Sequence, residues 1–279
     1  MQHKNIIITG ATDGIGLAAA KSIAKKGYHV SLVGRNPDKG KKALEAIIAH
    51  SGNENLDFFE CDLSLVANVK DLSDKIKQKY SKIDVLLNNA GGANKTKQIT
   101  IEGLEKTFAT NQMNYFVLST ELLEIISESN DGRIVNVASN AHIGAEVDYE
   151  NINSEKSFSA WTSYCVSKLM NIMFTYQLSS IQDKVSVNVL HPGFVDTNIA
   201  GNEGNFIKYI VKLGAKMFAR TVDSGADSSI YLSTSDEVQN VSGKYFFKCR
   251  EIKSSRASYN KEDWQKVWDL CNEYKIKLI

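Results

Sequence analysis

A tyrosine followed four residues later by a lysine, as in Ser163-Tyr164-Cys165-Val166-Ser167-Lys168, puts a proton donor and a cation on one face of a helix. A free phenol ionises near pH 10, too high for efficient proton transfer at neutral pH. An adjacent ammonium, joined by an oxidised nicotinamide, would lower that value. A second chemical signature opens the chain, where Ile6-Ile7-Ile8 runs into Thr9-Gly10-Ala11-Thr12-Asp13-Gly14-Ile15-Gly16 and then into a helical pattern. Glycines let such a turn approach a dinucleotide pyrophosphate closely, and the free amides and dipole of the helix start favour the anion. The spacing is G-x-x-x-G-x-G rather than G-x-G-x-x-G. A third signature lies about twenty residues on, at the end of the second strand, where an NAD enzyme usually places a carboxylate against the ribose hydroxyls. This chain has Gly34-Arg35-Asn36 instead. A guanidinium there can fork onto a 2′-phosphate, so NADP(H) is preferred, while Asp38 nearby keeps NAD(H) open.

Positioning these residues requires a strand-turn-helix alternation, and the whole chain supplies it. Short β-branched runs at Asn5–Thr9, Tyr28–Val33, Asp57–Cys61, Ile83–Leu87, Gly132–Ala138, Val185–Leu190 and Lys244–Phe247 read as strands. Helical patterns fall at Gly16–Lys26, Lys39–His50, Ala67–Tyr80, Gly103–Ser127, Ser163–Ile181 and Ser224–Thr234, with a tail helix at Lys261–Tyr274. Gly27 stands where a helix would be capped. The expected fold class is α/β: a single-domain, doubly wound parallel sheet with helices on both faces, spanning residues 1–279. Two irregular stretches, Asn140–Thr162 and Asn198–Arg220, would lie over the carboxyl ends of the strands, where such sheets bind ligands.

Composition narrows the chemistry. With 33 basic and 32 acidic residues among 279, the net charge of +1 offers no field for a polyanion, and no nucleic-acid partner is expected. Cys61, Cys165, Cys249 and Cys271 are scattered without a C-x-x-C pair, which predicts neither a disulfide framework nor a metal site. No window reads as a signal peptide or membrane span, so a cytoplasmic location is expected. His142 reads as a solvated loop histidine, and Glu45, Glu105 and Glu124 as surface charges on helices. Phe58-Phe59 and Phe246-Phe247 read as strand packing, and Cys165 as a residue on a different helix face from the tyrosine.

In order and spacing, Thr9–Gly16, Asn88-Asn89-Ala90-Gly91 after the fourth strand, Ser139 after the fifth, and Tyr164 with Lys168 resemble the short-chain dehydrogenase/reductase family (a Rossmann fold) over nearly the whole chain. Asp62, Asn111 and Pro192-Gly193 match as well. The 25 positions from Ser139 to Tyr164, with Glu155-Lys156-Ser157-Phe158 between them, look like the retinol dehydrogenase-like branch. Leu190-His191-Pro192-Gly193, Ser242-Gly243-Lys244-Tyr245-Phe246 and Trp268 agree; Val267 stands where that branch often has leucine. Many of its members carry an amino-terminal anchor, whereas this sequence starts at its first strand.

The resemblance implies an oxidoreductase that moves hydride between NADP(H) and an apolar aldehyde, ketone or alcohol. Ser139 would bind the carbonyl oxygen, with Asn140 a competitor for it, and Tyr164 would transfer the proton. Lys168 would hold the nicotinamide ribose and lower the tyrosine pKa, and Asn111 would complete a water-linked relay. Cofactor contacts are expected from Gly10, Thr12, Asp13, Gly14, Ile15, Gly16, Arg35, Asn36, Asp62, Leu63, Asn89, Ala90, Gly91, Tyr164, Lys168, Pro192, Gly193, Val195 and Thr197. A carbon–carbon double-bond reductase and an NADP(H)-sensing scaffold with little turnover are the alternatives. Family members commonly form homo-oligomers through the helices around Gly103–Ser127 and Ser163–Ile181, where Leu169, Ile172, Met173 and Phe174 would serve either that seam or the core. Asn205–Arg220 carries Lys208, Lys212, Lys216 and Arg220 on one stripe, the pattern of a substrate-covering lid or of a helix making peripheral membrane contact.

Overall fold

Alternation within the strands decides how the layers form. In β1 (Asn5–Thr9), Ile6 and Ile8 point to one face and Ile7 to the other, and all three are buried, so both faces must be covered by helices. The structure, a computed structural model described over residues 4–193 and 222–279, does so. Its sheet adds β2 (His29–Gly34), β3 (Leu56–Glu60), β4 (Val85–Asn88), β5 (Arg133–Val137), β6 (Ser186–Leu190), β7 (Tyr245–Phe247) and β8 (Arg250–Ile252). The strand order is β3-β2-β1-β4-β5-β6-β7-β8, parallel except for the antiparallel β7–β8 pair. The order reverses between β1 and β4, so a crevice opens beyond their carboxyl ends.

On the face with Ile6 and Ile8 lie α1 (Gly14–Lys25) and α2 (Pro37–Ser51), together with a helix from the far half of the chain, α6 (Val222–Thr234). The other face carries α3 (Val66–Lys79), α4 (Asn114–Ser127), α5 (Ala160–Ile181) and α7 (Lys261–Leu278). No helix among the described residues is long and apolar enough to cross a membrane.

Several boundaries differ from the sequence reading, each for a local reason. Helix α2 begins two residues earlier than expected, because Asn36 caps it by accepting from the Lys39 amide at 2.8 Å and Pro37 occupies the first turn. Helix α5 begins at Ala160 rather than Ser163, with Ser159 as its cap, and α7 runs on to Leu278. The helix expected over 103–127 is not continuous: a turn at Lys106–Phe108 widens into a π-helical stretch, Ala109–Met113, before α4. Glu105 is not a surface charge but is 1% exposed, and its carboxylate caps that turn by accepting from the Phe108 amide. Leu169, Ile172, Met173 and Phe174 are all buried within one chain and belong to the core. The stretch 198–220, with the lid or membrane helix expected at 205–220, lies outside the described residues, as do Val195 and Thr197.

Candidate active site

The glycine turn is shaped by close approach. Gly10 and Gly14 adopt φ of 64° and 52°. A Cβ on Gly16 would sit 2.3 Å from the Gly10 carbonyl oxygen and 2.5 Å from Asn89 Nδ2, so only glycine allows α1 to start this close to β1. Asn89 Nδ2 donates to the Thr9 carbonyl at 2.9 Å, while Thr9 Oγ1 accepts from the amides of Asn89 and Ala90, each at 2.9 Å. These bonds sew the ends of β1 and β4 together at the crevice. Asp13 caps α1 by accepting from the Gly14 amide at 2.8 Å. A narrow backbone cradle at the start of a helix fits a dinucleotide pyrophosphate.

Arg35 and Asn36 stand exposed at the corner from β2 to α2. Sequence reasoning missed Lys39, whose ammonium lies 4.0 Å from Asp13 and on the same corner. The signal was a cation four residues after Arg35, inside the first turn of a capped helix. Asp62 faces its own loop, accepting from the Ser64 amide and hydroxyl at 3.0 and 2.8 Å. Leu63 is buried in the core beside it. Pro192 and Gly193 follow β6, where His191 Nδ1 accepts from the Gly193 amide at 3.2 Å.

Ser139, Tyr164, Lys168 and Asn111 converge beyond β4 and β5. Tyr164 is half-buried on the second turn of α5, with its hydroxyl near enough to Ser139 for that residue to favour its ionised form. One turn on, Lys168 is 3% exposed and its ammonium donates to the Val137 carbonyl at 2.8 Å and to Asn171 Oδ1 at 3.3 Å. That ammonium lies 5.9 Å from the Tyr164 ring centre and 5.5 Å from that of Tyr115. Asn111 sits within the π-helical stretch. Its side chain is clamped to the Gly92 backbone, accepting from the amide and donating to the carbonyl at 2.9 Å each, and it donates to Ser167 Oγ at 2.8 Å. The Asn111 carbonyl in turn accepts from Asn171 Nδ2 at 2.8 Å. A Cβ on Gly91 would lie 3.1 Å from Asn111 Oδ1 and 3.2 Å from Lys168 Nζ, so the missing side chain leaves a point within hydrogen-bonding reach of both.

Without the cofactor, burial dominates the electrostatics of this pair. In the protein by itself, burial raises the Tyr164 pKa above its ordinary value, and Ser139 only partly offsets this. Lys168 does not reverse the direction, because burial brings its own pKa down to about 7. Cys165, beside the tyrosine, is buried and its thiol is pushed up to about 11, which makes it inert.

The residues set aside earlier divide. Glu45, Glu124 and Asn140 are exposed. Phe246 is in the core; Phe58 and Phe59 are half-buried against it, and Phe247 stacks on His191 with ring centres 4.2 Å apart. His142 is not solvated at all: it is 1% exposed.

Comparison with known proteins bears on the whole arrangement. Residues 4–207 match the family model of short chain dehydrogenases. Human polyprenol dehydrogenase is 33% identical over 270 residues, covering 94% of this chain and 82% of that protein. Human retinol dehydrogenase 14 is 32% identical over 296 residues, covering 100% of this chain and 88% of its own. The crystal structure of a short chain dehydrogenase from Shigella flexneri 2a complexed with NADP superposes with a TM-score of 0.67 at 23% identity, covering 88% and 97% of the two chains. With its sheet order and glycine turn, this chain is therefore an oxidoreductase of the short-chain dehydrogenase/reductase family, in the retinol dehydrogenase-like branch.

Proposed function

We propose that the protein is an NADP(H)-dependent reductase of apolar aldehydes and ketones, or a dehydrogenase of the matching alcohols. One observation carries the reading: Tyr164 is near Ser139 and has the buried Lys168 ammonium one helical turn on, 5.9 Å from its ring centre. When bound, the reduced nicotinamide supplies the hydride. The chain's own residues do the rest. Gly10, Gly14 and Gly16 hold the pyrophosphate against the backbone at the start of α1. Arg35 and Lys39, exposed at one corner, supply cations for a 2′-phosphate. Ser139 donates a hydrogen bond to the substrate carbonyl oxygen, stabilising charge as it develops there. Tyr164 gives that oxygen its proton, and Lys168 both holds the ribose and favours the phenolate left behind. Asn111 Oδ1 would hold a water in the gap left by Gly91, from which a proton passes by way of the Lys168 ammonium to the Tyr164 phenolate.

The apolar character of the substrate is supported by two exposed side chains beside these groups. Trp161, 48% exposed, lies on the first turn of α5 with its ring centre 6.3 Å from that of Tyr164, and Ile143, 62% exposed, follows the turn that Ser139 caps. Polyprenol and retinol, named in two relatives, are apolar alcohols. Removing the Tyr164 hydroxyl tests the assignment: Tyr164→Phe should lower turnover by roughly 100-fold or more, with NADPH affinity kept within a few-fold. Near-normal turnover in that variant sinks the assignment, and tight NADPH binding by the wild type without turnover of any carbonyl favours the sensing scaffold.

A further inference from the structure

His142 lies three residues after Ser139, and both of its nitrogen donors point back at it. The His142 amide donates to the Ser139 carbonyl at 3.2 Å, and ring Nδ1 reaches the same oxygen at 2.7 Å. Because a carbonyl can only accept, Nδ1 carries the proton. The other ring nitrogen, Nε2, then has a lone pair, and the Ser255 amide donates to it at 3.0 Å. Ser255 belongs to a segment 113 residues away in sequence that is itself firmly held. Its neighbour Ser254 bonds through Oγ to the Tyr176 hydroxyl of α5 at 2.8 Å and to Ser258 Oγ at 2.6 Å, and the Ser258 carbonyl accepts from the Trp264 indole of α7 at 2.7 Å. The imidazole is edge-on to Tyr245 of β7, with ring centres 5.3 Å apart, and His191 stacks on Tyr245 at 5.6 Å.

We infer that His142 is a positioning residue, which fixes Ser139 by tying its carbonyl to the backbone of the 254–259 segment. This rests on the role proposed above for Ser139. The geometry works with the neutral imidazole alone, since a proton on Nε2 would face the Ser255 N–H and break the link. Tyr245 is the titratable side chain packed against the ring, and its own hydroxyl is pushed up by burial, so it stays neutral over the same range. Burial also holds the His142 pKa below its ordinary value, against the pull of the Ser139 carbonyl. The link is therefore intact at neutral pH and is lost as pH falls through the depressed value.

The test uses the full chain with three readouts between pH 8 and pH 5: imidazole nitrogen shifts, hydrogen exchange of the Ser255 amide, and kcat with NADPH and an apolar aldehyde. In the wild type, Ser255 protection and kcat should both fall with the midpoint of the imidazole titration, kcat by about tenfold, the worth of one hydrogen bond. His142→Gln keeps an acceptor at reach of Ser255 and cannot be protonated, so Ser255 protection should stay flat and the acid limb of kcat should vanish. His142→Asn keeps a donor near Ser139 but is too short for Ser255, which should exchange freely at every pH. A residue that merely fills space would change the melting temperature and leave the acid limb where it was. An acid limb unchanged in His142→Gln, or Ser255 exchange that ignores the imidazole titration, overturns the inference. If no carbonyl is turned over at any pH, the oxidoreductase reading fails by itself, while the exchange measurement still decides the link.

Discussion

Lys168 is at once the most costly and the most informative side chain of the site. Its ammonium is removed from water and bonded to one carbonyl and one amide oxygen, with no carboxylate among those partners, so its charged form is disfavoured and its pKa falls to about 7. In the unfolded chain the same group returns to the usual lysine value, near 10.4. The unfolded state therefore binds more protons between those two values, so stability rises with pH across the interval, and the cost of burying this group is complete once pH has fallen to about 7. The slope has an upper bound of about 1.4 kcal/mol per pH unit. Urea unfolding of wild type and Lys168→Met at pH 7 and pH 9, without cofactor, should show the wild type gaining relative to the variant as pH rises. Equal pH dependence in the two proteins would contradict the buried charge. Tyr164 and Lys168 were legible in the sequence because their spacing sets a helix face, which is a local property. The roles of His142 and Glu105 were not, because burial is a property of the fold: the partner of His142 is Ser255, far along the chain.

At the scale of elements, the corner from β2 to α2 shows what local patterning can carry. Asn36 and Pro37 fix where the helix starts, and that start puts Arg35 and Lys39 on one exposed corner next to Asp13. Replacing Arg35 with alanine should weaken NADPH by about ten- to 100-fold, the worth of a charge-assisted bond of about 1.5–3 kcal/mol, and leave NADH within a few-fold. Parallel titrations of the two cofactors measure this, and equal losses for both would remove Arg35 from the 2′-phosphate. The seven parallel strands were readable as β-branched runs between helical periods. Strand β8 was not, since Arg250-Glu251-Ile252 is short, exposed and without alternation, and pairs only because the hairpin after β7 presents it. The π-helical stretch was hidden for a different reason: Ala109, Met113 and Phe116 keep an apolar i, i+4, i+7 rhythm that reads as ordinary helix. Long-range bonds from Asn111 to Gly92 and Ser167, and from Asn171 to Asn111, lie where the helix widens.

At the scale of the molecule, α7 covers the helices that the family resemblance marked as an assembly seam. Val267 and Cys271 are fully buried, and Trp268 packs on Phe116 of α4 and Phe174 of α5 at 5.1 and 6.1 Å between ring centres. Lys275 pairs with Glu121 of α4 at 2.6 Å, and Tyr274 accepts from Asn153 Nδ2 at 2.7 Å. At one edge of the sheet, β8 is short and exposed and carries Arg250 and Glu251, which discourages a further strand from pairing there. We propose that this coverage favours a single chain in dilute solution over the homo-oligomer that the family resemblance implies. Trp268→Ala should cost about 3 kcal/mol of stability and leave an apolar face that promotes self-association, which light scattering across a dilution series would reveal. A stable wild-type dimer in that series would contradict the coverage. The helix that closes this face also has a consequence for mixtures. If the chains stay single, those disabled at Tyr164 neither borrow surface from working ones nor lend it to them. Turnover in a mixture of wild type and Tyr164→Phe should then scale with the wild-type fraction alone, with no interference between the two.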